Sequence, residues 1–383
     1  MHLELSPEQK ELKKQVRDLL ENKVMPIVDI YEKEHKSVPR ELVEDLIPFG
    51  YIGGLLPKGD GGHGMDLLTY LILIEELSRA WPSLRIIVSG TNLIATYLHR
   101  FGSEEQKKRF LPALLSGKMT GFFALSEPNT GSDAGSLEMT AVLKDKVWLL
   151  NGIKSFVACG SDAELGLVFA STDKSKGAKG ITAFLVEKGV TDYEVRPIKK
   201  MGTHSCSMAE LTFAGSRVPD ENRLGEPGKG FSLAMSFLNI VRSAVPFVCA
   251  GIAQACIDAS VKFAKERVQF KKPIGGFQLI QAKIADMVML AEAMRLMGYR
   301  AALLVEKGQP CQMEVSMAKL FASESVIKIA ENAMQIHGAY GYVQDLPIER
   351  YYRDIRYFTV ADGTSEIQRL IIGREVLGIS SFY

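Results

Sequence analysis

Apolar positions recur at two spacings along the chain, and the switches between them divide it into three parts. In the first part they return every three or four residues. Ser6-Pro7-Glu8-Gln9 opens it with a capping box and a proline at the first helical position, which predicts a helix to about Val24. Further helices are predicted from near Pro39 to Phe49-Gly50 and over residues 67–80. Apolar runs continue to Leu98, and Ser103-Glu-Glu-Gln106 caps another helix, to about Leu115. Gly59-Asp-Gly-Gly-His-Gly64 has the spacing of a dinucleotide fingerprint. No β run precedes it and no βαβ unit surrounds it, so it reads as a loop. After Gly117 the helical period disappears. Short β-branched and aromatic runs take over at 122–125, 140–150, 165–170, 181–186, 193–195 and 210–213. Turn signals such as Asn151-Gly152 and Lys176-Gly177 part them, and no helix-length segment intervenes, so the middle predicts an antiparallel β domain.

Helical spacing then returns in three long sets. They are Val248, Ile252, Cys256, Ala259, Phe263; Ile280, Ile284, Met287, Ala291, Met294, Gly298, Ala301; and Val315, Ala318, Ala322, Val326, Ile329, Ala333, Ile336. Each marks a bundle helix with one buried stripe. The methionines at 287, 289, 294 and 297 read as core packing. The expectation is an α+β fold, mainly α: an N-terminal helical domain (1–119), a middle antiparallel β domain (120–230) and a C-terminal helical bundle (231–383).

Composition narrows the function without naming it. The 383 residues exceed one typical domain, and the apolar fraction of 46% and charged fraction of 24% are those of a globular protein. Lys plus Arg is 46 and Asp plus Glu is 45, a balance that gives no electrostatic reason to expect nucleic acid or an anionic membrane as partner. Five scattered cysteines without a C-x-x-C pair suggest reduced thiols in a cytoplasmic setting. The N-terminus lacks the basic-then-apolar pattern of a secretion signal, and no 18-residue apolar run stands out, so a soluble protein is expected. Scattered histidines, no P-loop and no G-x-S-x-G elbow leave metal-assisted hydrolysis, phosphoryl transfer and serine hydrolysis without support.

Four stretches carry more polar and turn chemistry than packing needs. Asp362-Gly363-Thr364 stands where an apolar segment meets a helix-like run, so a carboxylate there caps the helix or faces a ligand beside free N–H groups. Residues 123–133, FALSEPNTGSD, offer hydroxyls and turn N–H groups to a phosphate or ring edge, or form a well-bonded turn. Residues 267–278, RVQFKKPIGGFQ, form a basic glycine-containing loop suited to pyrophosphate, or a solvated turn. In residues 335–342, QIHGAYGY, glycines among aromatics allow backbone to pack on a flat ligand or cap a helix, and His337 is a possible contact.

These stretches, with NGIKSFV at Asn151, occur in one order, and in that order the chain resembles the acyl-CoA dehydrogenase family over essentially its whole length. The resemblance implies a C-terminal four-helix bundle, non-covalent FAD and a homotetramer. It implies that Phe123, Leu125, Ser126 and Ser132 line the flavin and the start of the CoA moiety. Phe156, Val157 and Ala158 would lie against the isoalloxazine. Arg267, Phe270, Gln278, Gln335, Gly338 and Ala339 would reach the FAD pyrophosphate and adenosine from a neighbouring subunit. Thr364 and Glu366 would sit by FAD, and Ser132, Arg242 and Gly363 by the acyl-CoA. An electron-transferring flavoprotein is the implied acceptor.

The implied reaction is α,β-dehydrogenation of an acyl-CoA thioester, with Asp362 taking the α proton as hydride leaves Cβ for flavin N5. Burial of the base is expected to raise its affinity for that proton. Three departures stand out. The family's usual base is Glu, and one methylene fewer retracts the carboxylate by roughly 1–1.5 Å, a misplacement that can cost about a hundredfold. The alternative base position, before Arg242, holds Val241. Phe156 and Ala158 replace the common Trp and Thr beside the flavin. A branched or alicyclic acyl group, such as cyclohexanecarboxyl, suits a short base. The alternatives are a flavin oxidase of the nitroalkane-oxidase type, which also uses Asp, and an enoyl-CoA reductase; a non-enzymatic DNA- or protein-binding flavoprotein lacks the basic face it would need.

Overall fold

The computed structural model describes residues 5–381. Residues 1–4, on which the reading of the N-terminus partly rests, and residues 382–383 lie outside the described residues.

Side-chain caps start the first helices. The Ser6 hydroxyl accepts the Gln9 N–H, the Gln9 amide oxygen accepts the Ser6 N–H, and Pro7 opens α1 (Pro7–Leu19). The expected stop near Val24 is instead a π turn over Leu20–Val24 that runs on into α2 (Met25–Lys33), where Pro26 has no N–H for a regular i−4 bond. α3 (Arg40–Leu46) follows, and Asp66 caps α4 (Leu67–Ala80). α5 (Pro82–Phe101) leads to α6 (Glu104–Leu115), which has the expected capping box at Ser103 and Gln106.

Eight strands form one sheet. They are β1 (Gly121–Ala124), β2 (Thr140–Lys144), β3 (Val147–Ala158), β4 (Leu165–Ser171), β5 (Ile181–Glu187), β6 (Glu194–Pro197), β7 (Met208–Pro219) and β8 (Arg223–Leu224). The order is β6-β7-β3-β2-β4-β5-β8, with β1 on β4. The sheet is antiparallel except that β1 joins β4 in parallel, as does β2 at Thr140↔Ser171. The apolar run 140–150 is a hairpin, because Asp145 and Lys146 both take left-handed backbone and reverse the chain. Asn151-Gly152 is no turn. It lies inside β3, where a register shift against β7 absorbs it.

β4 and β5 read as unbroken apolar runs because both sheet faces are covered. Leu165, Leu167, Phe169, Ala183 and Leu185 join the core shared with the helices, while Val168, Ala170, Phe184 and Val186 fill a second core on the opposite face.

The chain then returns to helices: α7 (Gly230–Ser236), α8 (Leu238–Glu266), the two-stranded ribbon β9 (Val268–Gln269) and β10 (Lys272–Pro273), α9 (Gln278–Glu306), α10 (Gln312–His337), α11 (Ala339–Tyr342), α12 (Ile348–Ile355) and α13 (Ser365–Leu377). α8, α9 and α10 pack on one another, and α13 packs on α10. All seven positions of the stripe from Val315 to Ile336 are buried. Met287 and Met294 are core as expected, whereas Met289 is 62% exposed and lies with Val288 and Leu296 on an uncovered apolar face of α9. Gly230–Glu266 is more apolar than expected, long and apolar enough to cross a membrane, but 78% of its most apolar window is buried inside the fold. All five cysteines are free and buried.

Candidate active site

A short turn, Arg356–Thr359, carries the chain from α12 toward α13. The N–H groups of Val360 and Ala361 close it on the Tyr357 carbonyl. Asp362 (φ +57°) and Gly363 (φ +89°) then take left-handed backbone in succession and swing the chain into α13, whose cap is the Thr364 hydroxyl on the Ile367 N–H. Left-handed backbone is unfavourable for a residue with a Cβ, so Asp362 is held by its surroundings. Arg242 Nε donates to the Asp362 carbonyl at 2.9 Å. The Gly363 carbonyl accepts from Lys319 Nζ and from Gln368 Nε2, both at 2.9 Å. Lys319 Nζ also holds the Phe358 carbonyl at 2.7 Å. A Cβ at Gly363 would stand 2.9 Å from both Arg242 Nη2 and Gln368 Nε2, so only glycine lets these donors close in.

Three buried donors thus pin the main chain on either side of a carboxylate that is itself exposed. The burial expected for this base does not come from the chain's own fold. The cations are the buried partners: burial lowers the proton affinity of Lys319 and of Arg242, and the charge of Asp362 opposes the shift in both.

The second group lies on the sheet. Lys154 and Glu127, both fully buried, form an ion pair at 2.7 Å. Lys154 Nζ also donates to the Leu125 carbonyl, and Glu127 accepts the N–H groups of Glu138 and Met139. Burial pulls the Lys154 ammonium down to about 8, with Glu127 opposing. The pair ties the segment after β1 to β3, and the Ser155 N–H on the Ser126 carbonyl completes the tie. One residue on, Phe156 takes left-handed backbone at the second register shift of β3 and is 64% exposed, between buried Ser155 and buried Val157. Ala158 is partly buried and Ser132 is exposed. Phe123 packs on Phe169 and on Tyr97, and Tyr97 meets Phe237 edge-on at 4.7 Å. That aromatic chain runs from the end of β1 to the start of α8, five residues before Arg242.

The remaining candidates stand elsewhere. Arg267, Phe270, Gln278, Gln335, Gly338 and Ala339 are all exposed. Phe270 and Lys271 form the left-handed turn of the β9–β10 ribbon, and Arg267 lies over the Tyr340 ring at 5.8 Å, which joins this ribbon to the end of α10. Arg242 is near the start of α8 and Arg267 follows its end, roughly 36 Å away along the axis (24 residues at about 1.5 Å each). One chain therefore presents two separated sets. His337 belongs to neither: it is buried against Phe263 at 4.4 Å, with Nδ1 2.7 Å from the Ala333 carbonyl.

Whether the residues near Asp362 and Phe156 suit a flavin can be judged from their geometry. The exposed Phe156 ring at the bulge offers an apolar face that a flat ligand can cover, and the first turn of α13 offers N–H groups to an acceptor. At Gly131, beside Ser132, and at Gly338 an added Cβ would meet nothing within 4 Å, which leaves room for a ligand against the backbone. The set fits.

Sequence reasoning missed Lys154, Glu127, Lys319 and Gln368 as supports. Lys319 did leave a signal: it falls between Val315 and Ala322 on an otherwise apolar stripe.

A sheet between two helical units, with a carboxylate presented at the head of the last helix, is a three-part scaffold that matches family models along nearly its whole length. The N-terminal domain of acyl-CoA dehydrogenase matches residues 6–118, the middle domain 122–216 and the C-terminal domain 228–377. The chain belongs to the acyl-CoA dehydrogenase family, FAD-dependent oxidoreductases acting on CH–CH groups. It is 41% identical to an acyl-CoA dehydrogenase of Bacillus subtilis (strain 168), over 98% of this chain and 100% of the relative. It is 39% identical to the caffeyl-CoA reductase-Etf complex subunit CarC of Acetobacterium woodii, over 97% and 99%. Its fold superposes on butyryl-CoA dehydrogenase from Megasphaera elsdenii with a TM-score of 0.93 at 37% identity, over 98% and 100%.

Proposed function

We propose that the protein dehydrogenates an acyl-CoA thioester between Cα and Cβ, with Asp362 as the base for the α proton. The observation that carries this reading is the triple hold of Arg242, Lys319 and Gln368 on the two left-handed residues, Asp362 and Gly363. A carboxylate on so fixed a main chain is positioned as a proton acceptor should be, since rate depends steeply on placement. FAD, when bound, would supply the acceptor for the hydride that leaves Cβ, which carries both electrons of the oxidation. Phe156, Val157 and Ala158 would face its ring, Phe123, Leu125, Ser126 and Ser132 would border it, and Thr364 and Glu366 would approach it from α13. Arg242 and Lys319 also place positive charge beside the thioester, where negative charge develops as the α proton leaves.

The shorter reach of Asp favours a compact acyl group, branched or alicyclic, that brings its α carbon close. The exposed apolar face of α9 and the separation of the Arg267 set from Asp362 support a homotetramer, in which Arg267, Phe270, Gln278, Gln335, Gly338 and Ala339 complete the FAD site of another copy. An electron-transferring flavoprotein is the acceptor we favour, in line with the Etf complex named for the Acetobacterium relative. The same relative is named a reductase, and the reverse reaction on an enoyl-CoA would use the same residues.

The test is anaerobic mixing of FAD-loaded protein with straight, branched and cyclic acyl-CoAs, including cyclohexanecarboxyl-CoA. Bleaching of the flavin by at least one, and its loss in Asp362→Asn, is the expected result. Bleaching by none, or undiminished bleaching in the variant, overturns the reading.

A further inference from the structure

Two of the five cysteines lie against each other. Cys159 directly follows β3 and Cys206 stands just before β7, and their Sγ atoms are 3.6 Å apart, both buried. The Cys159 N–H donates to the Ser207 carbonyl at 2.9 Å, so the two cysteines sit diagonally across the β3–β7 ladder. A disulfide holds its sulfurs about 2.05 Å apart, so closing this pair takes roughly 1.5 Å of movement.

The two sides of the pair differ in stiffness. Cys206 belongs to the loop 200–207, which is tied to both helical parts of the chain. Asp354 accepts the Thr203 N–H and Glu32 the His204 N–H, each at 2.6 Å. The Ser205 carbonyl accepts the Val38 N–H, and Arg353 holds the Met201 carbonyl. Lys200 Nζ braces the loop from within, on the Gly202 carbonyl and the Thr203 hydroxyl. The end of β3 has more slack. Its register against β7 shifts between Lys154 and Val157, and Phe156 and Cys159 both take left-handed backbone. Closure therefore draws the end of β3 toward the loop, and with it Val157 and Ala158.

The sulfurs are also chemically unequal. The hydrogen bond from the Cys159 thiol, with the charge of Lys200 near, holds the Cys206 thiol below its ordinary value despite burial. The same bond, together with burial, pushes Cys159 well above its own. Burial alone pushes Cys249 and Cys256 up to about 12. The thiolate is the reactive form, so Cys206 is the nucleophile and Cys159 the thiol that resolves it.

We propose that Cys159 and Cys206 form a site of reversible oxidation by hydrogen peroxide, and that their disulfide weakens the hold on FAD. Burial bars bulky disulfide reagents and favours an oxidant of this size. The Cys206 thiolate attacks one peroxide oxygen, the O–O bond breaks, and hydroxide leaves to take up the proton that the thiol gave. The Cys159 sulfur then bonds to the Cys206 sulfur as the S–O bond of the sulfenic acid breaks, and its proton departs with that oxygen as water. Two thiols give up two electrons, one peroxide becomes two waters, and a dithiol reductant reverses the change. The effect on FAD rests on the reading of residues 156–158 as facing the flavin, and not on Asp362 as base.

The experiment treats FAD-loaded protein with hydrogen peroxide, then with dithiothreitol. Intact mass is expected to fall by two hydrogens and free thiols from five to three, with peptide mapping joining residues 159 and 206. FAD titration of the crosslinked protein is expected to give a Kd about 10-fold above that of the reduced protein, since a close-packed site transmits the shift. Dithiothreitol should restore the lower value, and Cys206→Ser should show neither change. Native protein in which the two thiols survive peroxide, or become sulfinic acids without joining, overturns the proposal. So does a disulfide that leaves the FAD Kd unmoved, or a Kd raised equally by peroxide in Cys206→Ser. The flavin-facing reading has its own check: reduced Phe156→Ala with native FAD affinity and spectrum overturns that reading, whether or not the disulfide forms.

Discussion

Arg242 grips Asp362 by its main chain: Nε meets the Asp362 carbonyl oxygen at 2.9 Å, and the two side chains form no ion pair within 4 Å. The arginine thus sets where the carboxylate points and leaves it open to accept a proton. Replacing Arg242 with Gln removes the charge-assisted bond and lets the left-handed Asp362 relax. We expect flavin reduction by a working thioester to slow about 100-fold, the scale of an ångström-sized misplacement. FAD content should be unchanged, because Arg242 is remote from Phe156 in the chain's hydrogen bonding. Rapid-reaction kinetics with a flavin absorbance ratio check both.

Lys319 does the same for the next residue, from the other side. In Lys319→Met an ammonium that is costly to bury disappears, but the Phe358 carbonyl loses its lysine donor and the Gly363 carbonyl keeps only Gln368 Nε2. An orphaned buried carbonyl costs about 1–3 kcal/mol. We expect a net loss of about 1–2 kcal/mol in urea unfolding, and a fall in kcat larger than any rise in KM. A variant with native kcat would show that Lys319 only fills space.

The helical layout was legible because caps and periodicity are local. Ser6 with Gln9, Ser103 with Gln106 and the stripe from Val315 to Ile336 each announce themselves within a few turns. Left-handed pairs such as Asp145-Lys146 and Asp362-Gly363 were less so, since backbone sign at a residue with a Cβ is imposed by partners outside the pair. For Asp362 those partners are Arg242 and Lys319. The ion pair of Lys154 with Glu127 was illegible for the same reason: a lysine in a strand is ordinarily solvated, and only the fold brings a buried carboxylate to it. Motif order identified the catalytic candidates; it could not identify the donors on α10 and α13 that hold them.

The Lys154–Glu127 pair should be the stiffest dependence of the sheet on a single contact. Glu127→Gln leaves a fully buried ammonium without its counter-ion and weakens the hold on the segment around Ser126. Breaking such a pair on one side costs about 3–5 kcal/mol. We expect that loss in denaturant unfolding of the FAD-free protein, together with weaker FAD binding measured by titration. A double variant, Glu127→Gln with Lys154→Met, should recover part of the stability, because the uncompensated charge is then gone.

A pH dependence of stability follows from Asp354, where all three parts of the chain meet. Its carboxylate is fully buried on α12; Oδ1 accepts the Thr203 N–H at 2.6 Å, and Oδ2 has no hydrogen bond among the described residues, with Arg350 Nη1 3.9 Å away. Glu32, buried on α2, lies close enough for its charge to act on Asp354. Burial pushes the Asp354 carboxyl up to about 7 from an ordinary 3.8, against the opposing pull of Arg350. The folded chain therefore binds this proton more tightly than the unfolded chain. The resulting stabilisation is fully present below the unfolded value and is lost as pH rises through about 7. At about 1.4 kcal/mol per pH unit, the span is on the order of 4 kcal/mol. Unfolding free energy from this group should thus decline between pH 5 and 7.5, against the usual gain as paired carboxylates ionise. Asp354→Asn keeps an acceptor for the Thr203 N–H but cannot titrate, so its stability should change less with pH over that window. Parallel urea titrations of the two proteins at pH 5, 6, 7 and 7.5 measure the difference, and curves that stay parallel would remove Asp354 as the titrating group.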